Sequence, residues 1–284
     1  MSMDTIFTLD VHTMNQIDPL TVLTALEAGQ IIYCPNHAPE KLEEEQVLLS
    51  ETILHPKHKN ISFDPRRQHL SGLLNPALAP MMQGMMQRFS EFSTQLLSTY
   101  LPSYSNAWRV GRTSYRPAEI KGRKTSPRKD DTRLHVDAFS ATPVNGLRLL
   151  RVFSNINPNG APRVWHLGDS FSTVLDQFAS KIPPYNQTKA RFLQLIKATK
   201  TLRSAYDHQM LSLHDSMKLD DHYQKNIVKT RMDFPPNSTW IAFTDQVSHA
   251  ALSGQFLLEQ TVYLPITAMR NPALSPLKQL ERRL

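Results

Sequence analysis

Apolar and polar positions divide this chain into three textures. In residues 76–101, "PALAPMMQGMMQRFSEFSTQLLSTYL", Met81, Met82, Met85, Met86 and Phe89 recur at steps of three to four, which predicts an amphipathic helix. A methionine stripe at that spacing reads as core packing, since the unbranched thioether fills irregular gaps. Before it, "GQIIYCPN" (29–36) is rich in β-branched residues and ends at a turn, so it predicts a short buried strand. From residue 107 the pattern shifts to short strands: "AWRVGRTSYRP", the alternating "TRLHVDAFS", "GLRLLRVFSNINP" and "APRVWHLGDSF". Helical spacing returns over residues 170–230, in "FSTVLDQFASKI" and in "TKARFLQLIKATKTLRSAYDHQMLSLHDSMKL", with "PPYN" between them. Strands resume in "KTRMDFPPNSTWIAFTDQVSHAAL" and "QFLLEQTVYLPI", and the tail "NPALSPLKQLERRL" is polar and punctuated by proline.

Short strands with turn residues, interrupted by one helical insert, predict an α+β chain with a mainly β core: a barrel or jelly roll with helices outside. The chain divides into a mixed N-terminal region (1–106) packing on the core, a β core (107–270) carrying the insert 170–230, and a C-terminal tail (271–284).

Composition narrows the function classes. The 284 residues, 40% of them hydrophobic, suffice for a sizeable core. No stretch approaches the roughly 20 apolar residues of a membrane-spanning helix. The start "MSMDTIFTLD" lacks a basic region followed by an apolar run, so no secretory signal is expected and a cytoplasmic location is. A single cysteine, Cys34, excludes an intrachain disulfide and a cysteine-based zinc site. The net charge of +7 and pI of about 9.5 favour anionic partners. Part of that excess sits in "YRPAEIKGRKTSPRKDDTR" (115–133), which holds seven Lys or Arg against three Asp or Glu. Such a run is either a solvated loop or a binding surface.

That run leads into "RLHVDAF". Period-two alternation puts Arg133, His135 and Asp137 on one face and Leu134, Val136 and Ala138 on the other. A histidine and a carboxylate so placed can share a metal, or can be a simple strand pair with no metal. A third ligand has to come from elsewhere, and His249, at the end of the apolar strand region "TWIAFTDQVSHAAL", is the candidate. Two histidines and one carboxylate on one face of Fe(II) leave open positions for a bidentate cosubstrate and O₂, the arrangement of the non-haem iron oxygenases. His166, His208, His214 and His222 lie in or near the helical insert, and His214 and Asp215, adjacent on a helix, point about 100° apart.

Oxygenases of this type normally use 2-oxoglutarate, whose distal carboxylate needs a cationic or hydroxyl partner in a buried pocket. An arginine some ten residues after the second histidine is common, yet no Arg or Lys follows His249 before Arg270, and Gln260 stands near that place. The strand "GLRLLRVF" offers Arg148 and Arg151 on opposite faces. Arg151 shares the more apolar face with Leu147, Leu149 and Phe153, so Arg151 is expected in the pocket and Arg148 on the exterior. The alternative leaves both on the surface.

The runs "KDDTRLHVDAF", "GLRLLRVFSNINPNGAPRVWHLGDSF" and "DQVSHAALSGQFLLEQTVYLP" together resemble the Kdo hydroxylases, over roughly residues 107–270. These are bacterial Fe(II)/2-oxoglutarate dioxygenases acting on 3-deoxy-D-manno-oct-2-ulosonic acid (Kdo) in lipopolysaccharide. The resemblance implies a double-stranded β-helix fold. It implies Fe(II) held by His135, Asp137 and His249, with 2-oxoglutarate and O₂ as cosubstrates. It implies hydroxylation of C3 of Kdo to give D-glycero-D-talo-oct-2-ulosonic acid (Ko), with release of succinate and CO₂. The implied substrate is Kdo on a lipid A precursor at the cytoplasmic face of the inner membrane, so peripheral contact with an anionic bilayer is expected. The distal carboxylate of 2-oxoglutarate would then meet Arg151, with Gln260 or Tyr263. Arg116, Arg123, Arg128 and Arg163, with Lys121, Lys124 and Lys129, are expected from position to meet substrate anions, and Arg133 to bind the Kdo carboxylate.

Three other readings compete. One is a related oxygenase with a protein or small-molecule substrate. Another is a cupin-like binding module without redox chemistry. The third, a nucleic-acid-binding protein, rests on pI alone, and the sequence carries neither a recognisable motif nor strand aromatics spaced for base stacking.

Overall fold

Strand β6 (Arg148–Asn155) is buried at every position, the mark of a strand covered on both faces. It pairs antiparallel with β9 (Ser238–Phe243) on one side and β11 (Leu257–Leu264) on the other. In the computed structural model, which describes residues 5–10, 16–123 and 125–284, these strands centre an eight-stranded sheet. Beyond β11 come β5 (Arg109–Arg116), β3 (Ile61–Asp64) and β4 (His69–Ser71). Beyond β9 come β2 (Ile31–Cys34) and the parallel β1 (Ile6–Thr8). The N-terminal region therefore extends both edges of the sheet.

A three-stranded sheet, in the order β10 (His249–Ser253), β7 (Arg163–Leu167), β8 (Thr230–Phe234), packs against the large one. Phe153, Trp165, Phe234, Trp240 and Leu257 fill the space between them. The Phe234 and Trp240 rings stack with centroids 3.9 Å apart, and Trp165 meets Phe153 edge-on at 5.1 Å. Two facing antiparallel sheets make this a jelly roll.

On its other face the large sheet is covered by α1 (Pro19–Glu27) and α2 (Ala79–Tyr100). Met82, Met85, Met86 and Phe89 of α2 are buried there, as the methionine stripe requires. The insert supplies α3 (Phe171–Phe178), α4 (Gln187–Leu195), α5 (Ala205–Leu219) and α6 (Asp221–Asn226). With α7 (Pro276–Arg283), it builds a third core over Leu134, Val136 and Ala250. The tail thus folds as a helix, with Leu280 fully buried.

One strand reading changes. Residues 132–140 alternate but make a single antiparallel bridge, His135 to His249. Each of these residues donates its N–H to the other's carbonyl, at 3.0 and 2.9 Å. Two residues later the Asp137 N–H donates to the Thr244 carbonyl, at 2.8 Å, in the connection after β9. The ladder ends because the backbone leaves the small sheet, yet the alternation survives: Leu134 and Val136 are buried while His135 and Asp137 face the barrel.

Candidate metal centre and adjoining cleft

Among the described residues, His135, Asp137 and His249 form the group able to hold a metal ion, with donor atoms all within 4.8 Å of one another. The bridge that pairs the two histidine backbones sets their rings side by side, with centroids 4.7 Å apart. Each imidazole is fixed from behind. The Nδ1–H of His135 donates to the Arg133 carbonyl and that of His249 to the Val247 carbonyl, both at 2.8 Å. A carbonyl only accepts, so each Nε2 carries its lone pair into the site. Trp165 stacks on His249 at 4.9 Å and closes one wall.

The protonation states suit a metal. Burial lowers the His135 pKa to about 4, outweighing the upward pull of Asp137, and burial likewise lowers His249. Burial works to raise Asp137, but Arg151 and the neighbouring histidines hold it well below the usual carboxylate range. At neutral pH the site is thus two neutral imidazoles and one carboxylate, a donor set that fits Fe(II).

Arg151 points into this cavity. Its Nη1 lies 3.0 Å from Asp137 Oδ2 and 3.3 Å from Glu259 Oε1. It braces Asp137, one of the three candidate ligands, and both of its carboxylate partners are protein groups. Glu259, which the sequence reading missed, lies between Arg151 and Arg116, and Arg116 Nη2 reaches it at 2.9 Å. Strand parity gives the reason. Glu259 and Thr261 sit across from Phe153 and Arg151 on the cavity face, whereas Gln260 sits across from Val152 on the helix-covered face. Gln260 is fully buried, accepts from Thr113 Oγ1 and donates to the Thr261 carbonyl. It lines neither the cavity nor the adjoining cleft. Tyr263, under the Arg109 guanidinium at 4.6 Å, lines a wider cleft instead.

Arg148 also departs from the reading. It is completely buried rather than exterior, with Nε 2.8 Å from Asp245 Oδ2, Nη2 donating to Gln246 and the guanidinium 3.8 Å from the Phe243 ring. Opposite parity from Arg151 directs it into the covered face, where a buried carboxylate compensates its charge.

A small cavity of about 70 Å³ holds the triad at one end. Arg163 lines it, 3% exposed, with Nη1 donating to the Gly254 carbonyl and, among the described residues, Nε unpartnered and no carboxylate in ion-pair contact. Burial, then the Arg116 charge, lowers its pKa to about 9. The cavity shares Arg116, Arg151 and Glu259 with a cleft of about 680 Å³. Arg66, Arg67, Arg109, Arg112 and Lys200 also line that cleft. Apart from Arg116, the basic run 115–133 behaves otherwise. Lys121, Arg123, Arg128 and Lys129 line neither cavity, Arg128 pairs with Asp215, and Lys124 lies outside the described residues. Arg133 pairs with Asp221 of the insert and is absent from both cavity walls.

A jelly roll that sets two histidines and one carboxylate on a cavity between its sheets defines the non-haem iron, 2-oxoglutarate class of oxygenases. Comparison gives the family. The chain belongs to the 3-deoxy-D-manno-oct-2-ulosonic acid (Kdo) hydroxylases, whose family profile matches residues 11–284. The solved Kdo hydroxylase KdoO in complex with cobalt(II) is similar at 43% identity and TM-score 0.94, covering 98% of this chain and 95% of that one. The same enzyme with α-ketoglutarate and Fe(III) is similar at 43% identity and TM-score 0.93, with the same coverage. Its complex with succinate and Fe(III) gives 42% identity and TM-score 0.93 over the same shares of each chain. No curated protein matches the sequence.

Proposed function

We propose that this chain hydroxylates C3 of Kdo on a lipid A precursor, converting the C–H to C–OH while 2-oxoglutarate and O₂ become succinate and CO₂. The observation that carries the reading is the metal-competent triad at the end of a small cavity that also holds Arg163 and opens to a basic cleft. Family membership supports the substrate.

When bound, Fe(II) supplies the activation of O₂, with 2-oxoglutarate as the electron source. His135, Asp137 and His249 hold the ion, and Arg151 keeps the Asp137 carboxylate charged and aimed. Arg163 takes the distal carboxylate of 2-oxoglutarate, in place of the Arg151 role expected from the sequence. It is the buried guanidinium in this cavity without a carboxylate contact, and a buried cation gains most from an incoming anion. Arg116, on the same wall, adds positive potential. Phe153, Trp165 and Leu257 exclude water from the cosubstrate. The anionic saccharide enters the large cleft among Arg66, Arg67, Arg109, Arg112 and Lys200, rather than along the basic run. A lipid-borne substrate brings the protein to an anionic membrane surface as a peripheral enzyme. No helix of the described residues is long and apolar enough to cross a membrane.

The test is mass spectrometry of a Kdo-bearing lipid A precursor incubated with the protein, Fe(II), ascorbate and 2-oxoglutarate. The expected result is a gain of one oxygen, absent with His135→Ala. Succinate release with other substrates and none with Kdo lipid would overturn the substrate assignment.

A further inference from the structure

Far from the triad in sequence, three large apolar side chains stand in solvent on α4 and its C-cap: Phe192 (57% exposed), Leu195 (78%) and Ile196 (53%). Their spacing of three and four residues puts them on one stripe. Ala190, buried, holds the other side of the helix to the insert. The surrounding sequence from Asn186 to Ser204 contains Lys189, Arg191, Lys197, Lys200 and Arg203 and no Asp or Glu. Lys189, Arg191, Lys197 and Lys200 are all exposed.

This surface is tied to the mouth of the large cleft. Lys200 lines that cleft, and its N–H donates to the Ala141 carbonyl at 2.9 Å. Arg203 Nη2 donates to the Ser140 carbonyl at 2.7 Å. The loop so held carries Phe139, Thr142 and Pro143 into the cleft wall.

We propose that α4 and the turn after it are the element that docks this protein on an anionic lipid bilayer. Phe192, Leu195 and Ile196 enter the acyl boundary, the flanking cations meet lipid phosphates, and the cleft mouth is brought to the surface. An apolar stripe with Lys and Arg beside it is the pattern of an interfacial helix. Charge excludes a second copy as the occupant, since a two-fold contact would set this acid-free cationic surface against itself. The assignment deepens the membrane contact proposed above and rests on that reading for its purpose, while binding itself is measured independently of turnover.

The experiment is cosedimentation of the full chain with vesicles of phosphatidylcholine alone or with one third phosphatidylglycerol. The wild type is expected to bind the phosphatidylglycerol vesicles, at least tenfold more weakly to phosphatidylcholine alone, and to be released by high salt. The exposed-residue variant F192S/L195S/I196S, with an unchanged thermal midpoint, is expected to bind at least tenfold more weakly. Equal binding by the two proteins, no wild-type binding, or a stripe-dependent dimer without lipid would each overturn the proposal. Vesicle binding through α4 without Kdo hydroxylation would leave the docking assignment standing and fell the proposed activity. Hydroxylation of detergent-dispersed Kdo lipid without vesicle binding would do the reverse.

Discussion

Two arginines, Arg151 on β6 and Arg163 on β7 of the facing sheet, line one cavity, and they differ in their partners. Arg151 is already matched by Asp137 and Glu259, whereas Arg163 has, among the described residues, a hydrogen bond to the Gly254 carbonyl and no ion pair. Arg163→Ala is therefore expected to raise KM for 2-oxoglutarate tenfold or more, with partial recovery in Arg163→Lys. Arg151→Ala is expected to weaken Fe(II) or Co(II) binding about 10- to 100-fold, since a metal ligand loses the group that orients it. Metal titration and 2-oxoglutarate kinetics on both variants check the split, and identical effects of the two would sink it.

His135 makes a pH prediction at the same scale. Burial lowers its pKa to about 4 in the metal-free fold, from an ordinary value of 6.5. Between those values the unfolded chain takes up a proton that the folded chain refuses. Metal-free protein thus keeps its full stability above about pH 6.5 and loses on the order of 2–3 kcal/mol of it as the pH falls toward 4. Denaturation midpoints across that window should fall less steeply in His135→Asn, and parallel slopes would refute the assignment.

Among the elements, the turn between β10 and β11 matters for the site it supports. Gly254 has φ +114°, where L side chains are strained, and its carbonyl accepts from Arg163. A Cβ there would lie 3.0 Å from Arg163 Cα, Arg163 Cδ and the Pro162 carbonyl oxygen. Gly254→Ala is expected to push Arg163 off its place, raising KM for 2-oxoglutarate while leaving metal affinity within about twofold. Kinetics beside a Co(II) titration decide it, and unchanged KM in a folded variant would contradict it. The parity of β11 and β6 was readable in part. Alternation correctly set Arg151 toward the cavity, and the same rule applied to "LLEQTVYL" separates Glu259 from Gln260. What alternation lacks is the number of covered faces. Because α1 and α2 cover the far side of the large sheet, Arg148 is internal rather than exterior.

The whole molecule decides where the charge acts. Among the described residues the dense cationic run 115–133 contributes Arg116 to the cleft beside the candidate metal site, and Arg66, Arg67, Arg109, Arg112 and Lys200 supply its other cations. Antiparallel pairing of β3 with β5 brings the turn after β3 beside the cations of β5. The combined variant R66S/R67S/R109S is expected to raise KM for Kdo lipid at least tenfold with KM for 2-oxoglutarate nearly unchanged. Steady-state kinetics on both substrates check this, and a shift in the 2-oxoglutarate value alone would refute it.

The sequence by itself determined the candidate ligands His135, Asp137 and His249 by residue type and spacing, the β core with its helical insert by periodicity, and the family by its extended runs. The pairing of His135 with Asp137 and the element types are local, set by a strand's period of two and a helix's of 3.6. Only the tertiary structure decided which cations share the cavity, that Glu259 stands between two of them, and that α4 leaves an apolar stripe in solvent beside the cleft. Each depends on register and on which faces are covered, and those are relations between segments far apart in the chain.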